Sequence, residues 1–110
     1  MSTLDQKKCT PCQGGSKPLK GDDIRERLQV LDPAWTVVDE HHLKRSFNFP
    51  DFRSALDFVN RVGELAEEEG HHPDLHLGYG RATVTLWTHK IDGLHDNDFI
   101  LAAKIDRLQR

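Results

Sequence analysis

The chain has 110 residues, with 15 Lys and Arg against 18 Asp and Glu, so its formal net charge is −3. This length fits one domain, and 28 residues are Leu, Ile, Val or Phe, which is enough for a small core. The mild acidity excludes direct nucleic-acid binding as the main activity, and no apolar run approaches the ~20 residues of a membrane-spanning helix. No apolar signal-peptide segment opens the chain either, so we expect a cytoplasmic protein.

Residues 1–20 mix turn-forming and polar residues without an apolar period, which predicts a flexible tail before one domain over residues 21–110. Cys9 and Cys12 form a Cys-x-x-Cys pair within this tail. A closed zinc site needs four ligands, and a thioredoxin-like redox pair lies where a strand meets a helix. The sequence therefore leaves three alternatives open: a thiol pair without a fixed role, a metal site between subunits, or a redox pair.

From residue 21 onwards, apolar periodicity predicts three helices and four strands in the order α-β-β-α-β-β-α. The first helix begins near Asp22 and ends before Pro33, because the residue that precedes a proline avoids the helical region. A longer helix begins after Asp51 and ends at Gly70, which suits a left-handed C-terminal cap. The predicted apolar stripe of this longer helix contains Phe52, Ala55, Leu56, Val59, Val62 and Ala66.

Alternation of apolar and polar residues predicts the strands. They extend from Trp35 to Val38, from Leu43 to Phe49, from Leu75 to Tyr79 and from Ala82 to His89, and the last helix extends from Asp96 to Leu108. Short connections favour antiparallel pairs, and three amphipathic helices need an apolar sheet face to cover. We predict an α+β fold: a two-layer sandwich of one four-stranded antiparallel sheet with three helices on one face.

Histidine stands out in the composition, with seven residues against one Met and one Tyr. It is the side chain that titrates near neutral pH, so its placement bears on chemistry. Four histidines occupy positions typical of exposed surface, namely a hairpin turn, the polar face of a strand and the start of the last helix. These four are His41, His42, His76 and His95.

The other three histidines are predicted to meet at one corner of the sheet. His71 and His72 follow the cap of the long helix, and Glu67 lies one helical turn before them, close enough to orient a ring. His89 ends the last strand, and antiparallel pairing of the last two strands brings that end beside His71 and His72. Three imidazoles at one corner form a candidate site, and a structural role for them is the alternative.

Proton transfer is the chemistry that this cluster favours. The spacing His72-x3-His76 is typical of a zinc pair, but Pro73 prevents the helical geometry that the spacing needs. On a strand the same spacing separates the two rings by roughly 13 Å, too far for one ion. Nucleophilic catalysis lacks a candidate, because no Ser, Thr or Cys is clearly paired with a base. General acid–base catalysis by two or three histidines remains.

These residues also follow the motif of a known family. Glu67 is followed after three residues by His71-His72-Pro73, after five more by Tyr79, after nine more by His89 and after eight more by Asp98. In this pattern the chain, from about residue 18 to residue 108, resembles the bacterial pterin-4a-carbinolamine dehydratases. The Cys-x-x-Cys tail is similar to that of bacterial members.

The resemblance implies a two-layer α+β fold and the dehydration of 4a-hydroxytetrahydrobiopterin to quinonoid dihydropterin and water. That product returns to the tetrahydropterin pool that aromatic amino acid hydroxylases use, and no metal or organic cofactor is needed. The resemblance implies that the catalytic acid and base are drawn from His71, His72 and His89, with Glu67 and Asp98 in support. It also implies substrate contacts from Gly70, His71, His72, Leu75, Tyr79, Trp87, Thr88, His89 and Lys90. Leu75 departs from many relatives, which have an aromatic residue there.

The resemblance implies a homodimer or homotetramer, and exposed edge strands would suit sheet extension between subunits. It also implies two alternatives to catalysis in pterin recycling. Animal relatives act as dimerisation cofactors of a homeodomain transcription factor, so a protein-binding module on the same fold is one. A pterin-related step in molybdopterin metabolism is the other, and the neighbouring genes would distinguish it.

Overall fold

The computed structural model describes residues 17–108, so Cys9 and Cys12 lie outside the described residues. The elements are α1 (Gly21–Leu28), β1 (Thr36–Val38), β2 (His42–Asn48), α2 (Phe52–Glu69), β3 (Asp74–Gly78), β4 (Arg81–Leu86) and α3 (Asp96–Arg107), with a 3₁₀ turn at His89–Ile91. This order confirms the predicted α+β arrangement. Within residues 17–108, no helix is both long and apolar enough to span a membrane.

One antiparallel sheet has the strand order β1-β2-β4-β3, so β4 lies between β2 and β3. Leu43 pairs with Leu86, and Leu75 pairs with Val84, which places apolar side chains of three strands on one face. That face belongs to the core, into which the helices also pack apolar residues. Because the strands alternate, most of their polar residues lie on the opposite face, whereas Arg45 shares the core face of β2 with Leu43 and Phe47.

The long helix α2 has the predicted ends. Asp51 caps its N-terminus, where its carboxylate accepts a hydrogen bond from the Ser54 N–H at 2.8 Å. Gly70 ends the helix with a φ of 66°, a left-handed conformation that glycine adopts without a Cβ penalty. The two caps therefore fix the length of the helix and the direction in which the chain leaves it.

The predicted apolar stripe of α2 is wrong at two positions. Phe52 is 44% exposed, whereas Phe58, which the stripe omits, is buried. The ring of Phe58 packs on Phe47 of β2 and on Phe49 just after it, with centroids 4.6 Å and 5.2 Å away. Helical periodicity predicts a face, but the position of the sheet decides which residues of that face are covered.

The last strand is shorter than predicted. Alternation continues through Trp87 and His89, yet β4 ends at Leu86 and His89 begins the 3₁₀ turn. The chain closes on itself there, because the Thr88 N–H donates to the Gly93 carbonyl at 2.8 Å and the Gly93 N–H donates back at 3.3 Å. His89 therefore lies on a small closed loop and not on the sheet.

Candidate active site

Asp98 is the centre of the candidate site. It lies in the first turn of α3 and is fully buried. Its Oδ1 lies 2.5 Å from Nε2 of His71, and its Oδ2 accepts hydrogen bonds from the Thr88 hydroxyl at 2.8 Å and the His95 N–H at 3.0 Å. The positive end of the helix dipole also favours a carboxylate here. Asp98 thus joins α3 to the segment after α2 and to the segment after β4.

His71 reaches this carboxylate because of how α2 ends. Gly70 turns the chain, and the N–H of His71 still donates to the carbonyl of Ala66 at 3.2 Å. The His71 side chain is only 12% exposed, and its Nε2–H donates to Asp98. A carboxylate on one ring nitrogen fixes the tautomer and the orientation of an imidazole. Nδ1 is then the His71 nitrogen that is left for a substrate.

His72 has a carboxylate partner of its own. Its Nε2 contacts Oε2 of Glu67, which lies five residues earlier in the last turn of α2. Both side chains are largely exposed, 60% for His72 and 77% for Glu67. An exposed pair of this kind is weak compared with the buried pair of His71 and Asp98. We therefore expect Glu67 to orient His72 and to contribute little to stability.

His89 lies one residue after Thr88, whose hydroxyl binds the carboxylate that holds His71. The two histidine segments therefore meet at Asp98, although 18 positions separate His71 and His89 in the sequence. The His89 ring stacks on the indole of Trp87, with centroids 3.9 Å apart and planes 22° apart. Within residues 17–108 no hydrogen bond engages either ring nitrogen of His89, so both can meet a ligand.

The remaining residues of the motif and of the expected substrate contacts are spread more widely. Leu75 packs partly against the core, whereas Lys90 is exposed beside His89. Tyr79 is 78% exposed in the turn between β3 and β4. It lies at the opposite end of β3 from His72, and a strand of this length spans roughly 16 Å. A single chain does not bring Tyr79 to the histidines, and its contact with substrate stays a prediction.

The four histidines expected at the surface differ from one another. His76 is exposed, and His95 caps α3 by accepting the Asn97 N–H at Nδ1 at 3.1 Å. His41 and His42 are half-buried, and their Nδ1 atoms lie 3.1 Å apart, so solvated surface is the wrong description for them. The register of β2 with β4, which the sequence pattern does not specify, explains this. Because Leu43 pairs with Leu86, residues 41 and 42 extend toward residues 87 and 88.

The chemistry available at this corner is proton transfer by imidazoles that carboxylates orient. Two of the three histidines have a carboxylate on Nε2, and the third is open on both nitrogens. In the described part of the chain, no three or more His, Cys, Asp or Glu side chains are arranged to hold a metal ion. Acid–base catalysis at neutral pH is the function that this geometry suits.

Comparison with known proteins places the chain in a family. A model of the family described as pterin 4 alpha carbinolamine dehydratase matches residues 17–108. A protein from Rubrobacter xylanophilus is 64% identical over 108 residues, which cover 98% of this chain and 100% of the relative. A protein from Alkaliphilus metalliredigens is 49% identical over 109 residues, covering 99% of this chain and 98% of the relative. Both relatives carry the family's name as an inferred assignment.

Solved structures share the fold. A transcriptional coactivator/pterin dehydratase from Brucella melitensis has a TM-score of 0.77 and 34% identity, with 84% of this chain and 98% of that chain covered. A pterin dehydratase-like RuBisCO assembly factor of the alpha-carboxysome has a TM-score of 0.59 and covers 68% of this chain and 88% of its own. Its 23% identity supports the fold alone. On the family model and these relatives, the chain belongs to the pterin 4 alpha carbinolamine dehydratase family.

Proposed function

We propose that the protein dehydrates 4a-hydroxytetrahydrobiopterin to quinonoid dihydropterin and thereby serves tetrahydrobiopterin recycling. The observation that carries the proposal is the bond between His71 and the buried Asp98, two residues of the family motif that lie far apart in the sequence. A buried carboxylate that holds a partly exposed imidazole is typical of a proton-transfer site. The family membership supplies the substrate class.

The reaction needs two proton transfers. The bond between the ring carbon and the departing hydroxyl breaks as an acid protonates the oxygen, which leaves as water. A base removes the proton from the neighbouring ring nitrogen, and the electron pair of that N–H bond forms the new carbon–nitrogen double bond. The acid loses one proton and the base gains one, so the net charge of the site does not change. Proton exchange between the two groups then restores the starting state.

We assign these transfers to His71, His72 and His89. Asp98 and Glu67 act as orienting groups for His71 and His72, since each contacts an Nε2 atom. Leu75, Trp87, Lys90 and the backbone near Gly70 are the further contacts that we propose for the pterin. A positioned acid or base typically contributes ~10²–10⁴-fold to the rate of such a step.

A stopped-flow assay with chemically generated 4a-hydroxytetrahydrobiopterin tests the proposal. We expect the wild-type protein to accelerate dehydration over buffer, and the double variant His71→Ala/His89→Ala to lose ~10²–10⁴-fold of that acceleration. His76→Ala is the matched control, because it removes an exposed histidine on β3 that lies outside the site. Wild-type protein that dehydrates the substrate no faster than buffer would contradict the proposal.

A second function is binding to another protein through the same fold. The observation that favours it is the 34% identity to the Brucella protein, which is described as a coactivator as well as a pterin dehydratase. A strain that lacks the gene distinguishes the two roles. We expect the double histidine variant to fail to restore the phenotype, while a variant with reversed charges on the exposed α2 residues Asp57 and Arg61 restores it. The opposite pattern would favour partner binding.

We also propose that the protein works as a homodimer or homotetramer. β1 and β3 are the outer strands of the sheet, so each has an edge that no strand of the described chain pairs. Light scattering coupled to gel filtration measures the mass directly. A mass near the 12.6 kDa of one chain would contradict this part of the proposal.

A further inference from the structure

Another cluster of aromatic and titratable side chains adjoins the candidate site, at the turn between β1 and β2. Asp39 and Glu40 both have a φ of 53°, and this tight turn carries the next residue, His41, to the segment that follows β4. The centroid of the His41 ring lies 4.5 Å from that of Trp87, with the planes tilted by 42°. The same indole stacks on His89. Trp87 therefore connects the turn to a residue of the proposed catalytic set.

His41 reaches the far end of the same segment as well. Its Nε2 lies 2.8 Å from Oδ1 of Asp92, the residue that ends the 3₁₀ turn with a left-handed φ of 50°. His41 thus contacts residue 87 and residue 92, and His89 lies between them. The titratable groups that face His41 are Asp92 and His42, the latter through the 3.1 Å contact between the two Nδ1 atoms.

The inner and outer sides of this loop are held by different residues. Inside, Thr88 binds the buried Asp98 and pairs with Gly93, which fixes the backbone beside His89. Outside, the His89 ring is exposed and has only the stack on Trp87 to orient it within residues 17–108. The orientation of the His89 ring therefore depends on Trp87. The indole of Trp87 is in turn in contact with the ring of His41.

We propose that His41 is a positioning residue, which holds Trp87 and through it fixes the orientation of the His89 imidazole. The inference rests on the proposed function in one respect, the catalytic use of His89. The orientation itself is a property of the free protein. It gives His41 a role that the sequence pattern, which predicts solvated surface in this turn, does not indicate.

Proton NMR of the imidazole hydrogens tests the orientation directly, because the ring current of a stacked indole shifts the His89 signals upfield. These signals are assigned from their loss in His89→Ala. In His41→Ala we expect most of the upfield shift to disappear. In His41→Phe, which keeps an aromatic ring against Trp87, we expect the shift to persist. His76→Ala is the matched control and should leave the His89 signals in place.

Kinetics on the same variants test the consequence. We expect kcat to fall about tenfold in His41→Ala, because a proton-transfer group is displaced, and KM to rise by a smaller factor, because Trp87 is only one of several proposed substrate contacts. His41→Phe should recover most of the lost kcat. A merely structural role would lower the thermal midpoint without this division between kcat and KM.

Unchanged His89 shifts in a folded His41→Ala variant would overturn the proposal. If circular dichroism shows that His41→Ala does not fold, His41→Phe and His41→Gln decide instead, since Gln can still bind Asp92 but has no ring. The proposal then requires that the upfield shift persist in the Phe variant and be lost in the Gln variant. Wild-type protein without dehydratase activity counts against the proposed function alone, because the NMR experiment needs no substrate.

Discussion

Helix α3 carries two buried carboxylates, Asp98 in its first turn and Asp106 in its last, and they meet opposite electrostatic conditions. Asp98 lies at the positive end of the helix dipole, and its partners include a histidine that borders solvent. Asp106 lies at the negative end, where the dipole disfavours a carboxylate. It is held instead by the indole N–H of Trp35 at 2.9 Å and by Arg45 at 2.7 Å.

This difference between Asp98 and Asp106 distinguishes a candidate catalytic group from a residue with a structural role. Burial raises the pKa of Asp106 above its ordinary value, although the hydrogen bond from Trp35 and the charge of Arg45 both act to lower it. Trp35 is buried, and the Arg45 guanidinium, with its side chain 16% exposed, is engaged by Asp106 and packs 4.3 Å from the ring of Phe47. These hydrogen bonds join α3 to β2 and to Trp35, the residue just before β1. A buried acid is therefore a candidate for proton-transfer chemistry only where its partner is itself an acid–base group, such as an imidazole.

The largest expected effect is on stability. It concerns the C-terminal end of α3, where Asp106 meets Arg45. Arg45→Met leaves Asp106 buried without its cation, which should lower the free energy of unfolding by about 3 kcal/mol or more. Urea denaturation measures this. Lys44→Met, on the opposite face of the same strand, should change it by less than about 0.5 kcal/mol.

A second variant sharpens the result. Arg45→Met/Asp106→Leu replaces the whole pair by apolar side chains and should recover much of the lost stability, since an apolar replacement of a buried pair is often neutral. An Arg45→Met variant that unfolds at the same urea concentration as wild type would show that the pair does not stabilise the fold.

The next largest effect is on catalysis, at the other end of the helix. Asp98→Asn keeps the size of the side chain but removes the anion that holds His71, and we expect kcat to fall about 100-fold, equivalent to about 2.7 kcal/mol. Single-turnover kinetics at a temperature where the variant is folded measure this. Asp106→Asn, the matched change at the far end, should keep kcat within about threefold of wild type. Equal losses of kcat in the two variants would contradict the proposed difference between the two ends of α3.

A smaller effect is expected from the exposed carboxylate of the site. Glu67→Gln removes an exposed partner of His72, so kcat should fall by no more than about fivefold, in keeping with the low energy of surface ion pairs. Glu64→Gln, one turn earlier on the same helix, is the control and should have no effect. A 100-fold loss in Glu67→Gln would instead give Glu67 a direct part in proton transfer.

The smallest effect is a pH dependence that comes from Asp106. Because its pKa in the folded protein is raised, the folded state binds the proton more tightly than the unfolded state, whose pKa is near 3.8. The contribution of this group to stability is therefore present at acidic pH and is lost as the pH rises through the folded pKa. Urea unfolding of wild type and Asp106→Asn from pH 4 to pH 7 measures the difference. If the free energy of unfolding of wild type increases relative to that of Asp106→Asn as the pH rises, the predicted direction is wrong.

The sequence by itself determined the order of the elements and the ends of the long helix. Asp51 and Gly70 act through their own backbone and immediate neighbours, so their caps follow from local chemistry. The motif that contains His71, His89 and Asp98 could likewise be read from its spacing. The antiparallel pairing of the last two strands was enough to predict that the histidines meet at one corner.

Only the tertiary structure decided which residues complete that corner. Alternation carried the predicted strand through His89, but the pairing of Thr88 with Gly93 closed a loop there. Nothing in the sequence near His41 indicates its contact with Trp87, because the contact exists only when β2 pairs with β4 in the observed register. The physical reason is the same in both cases. Local pattern fixes which face a residue occupies, whereas contacts between distant segments depend on register and loop closure, which no single segment specifies.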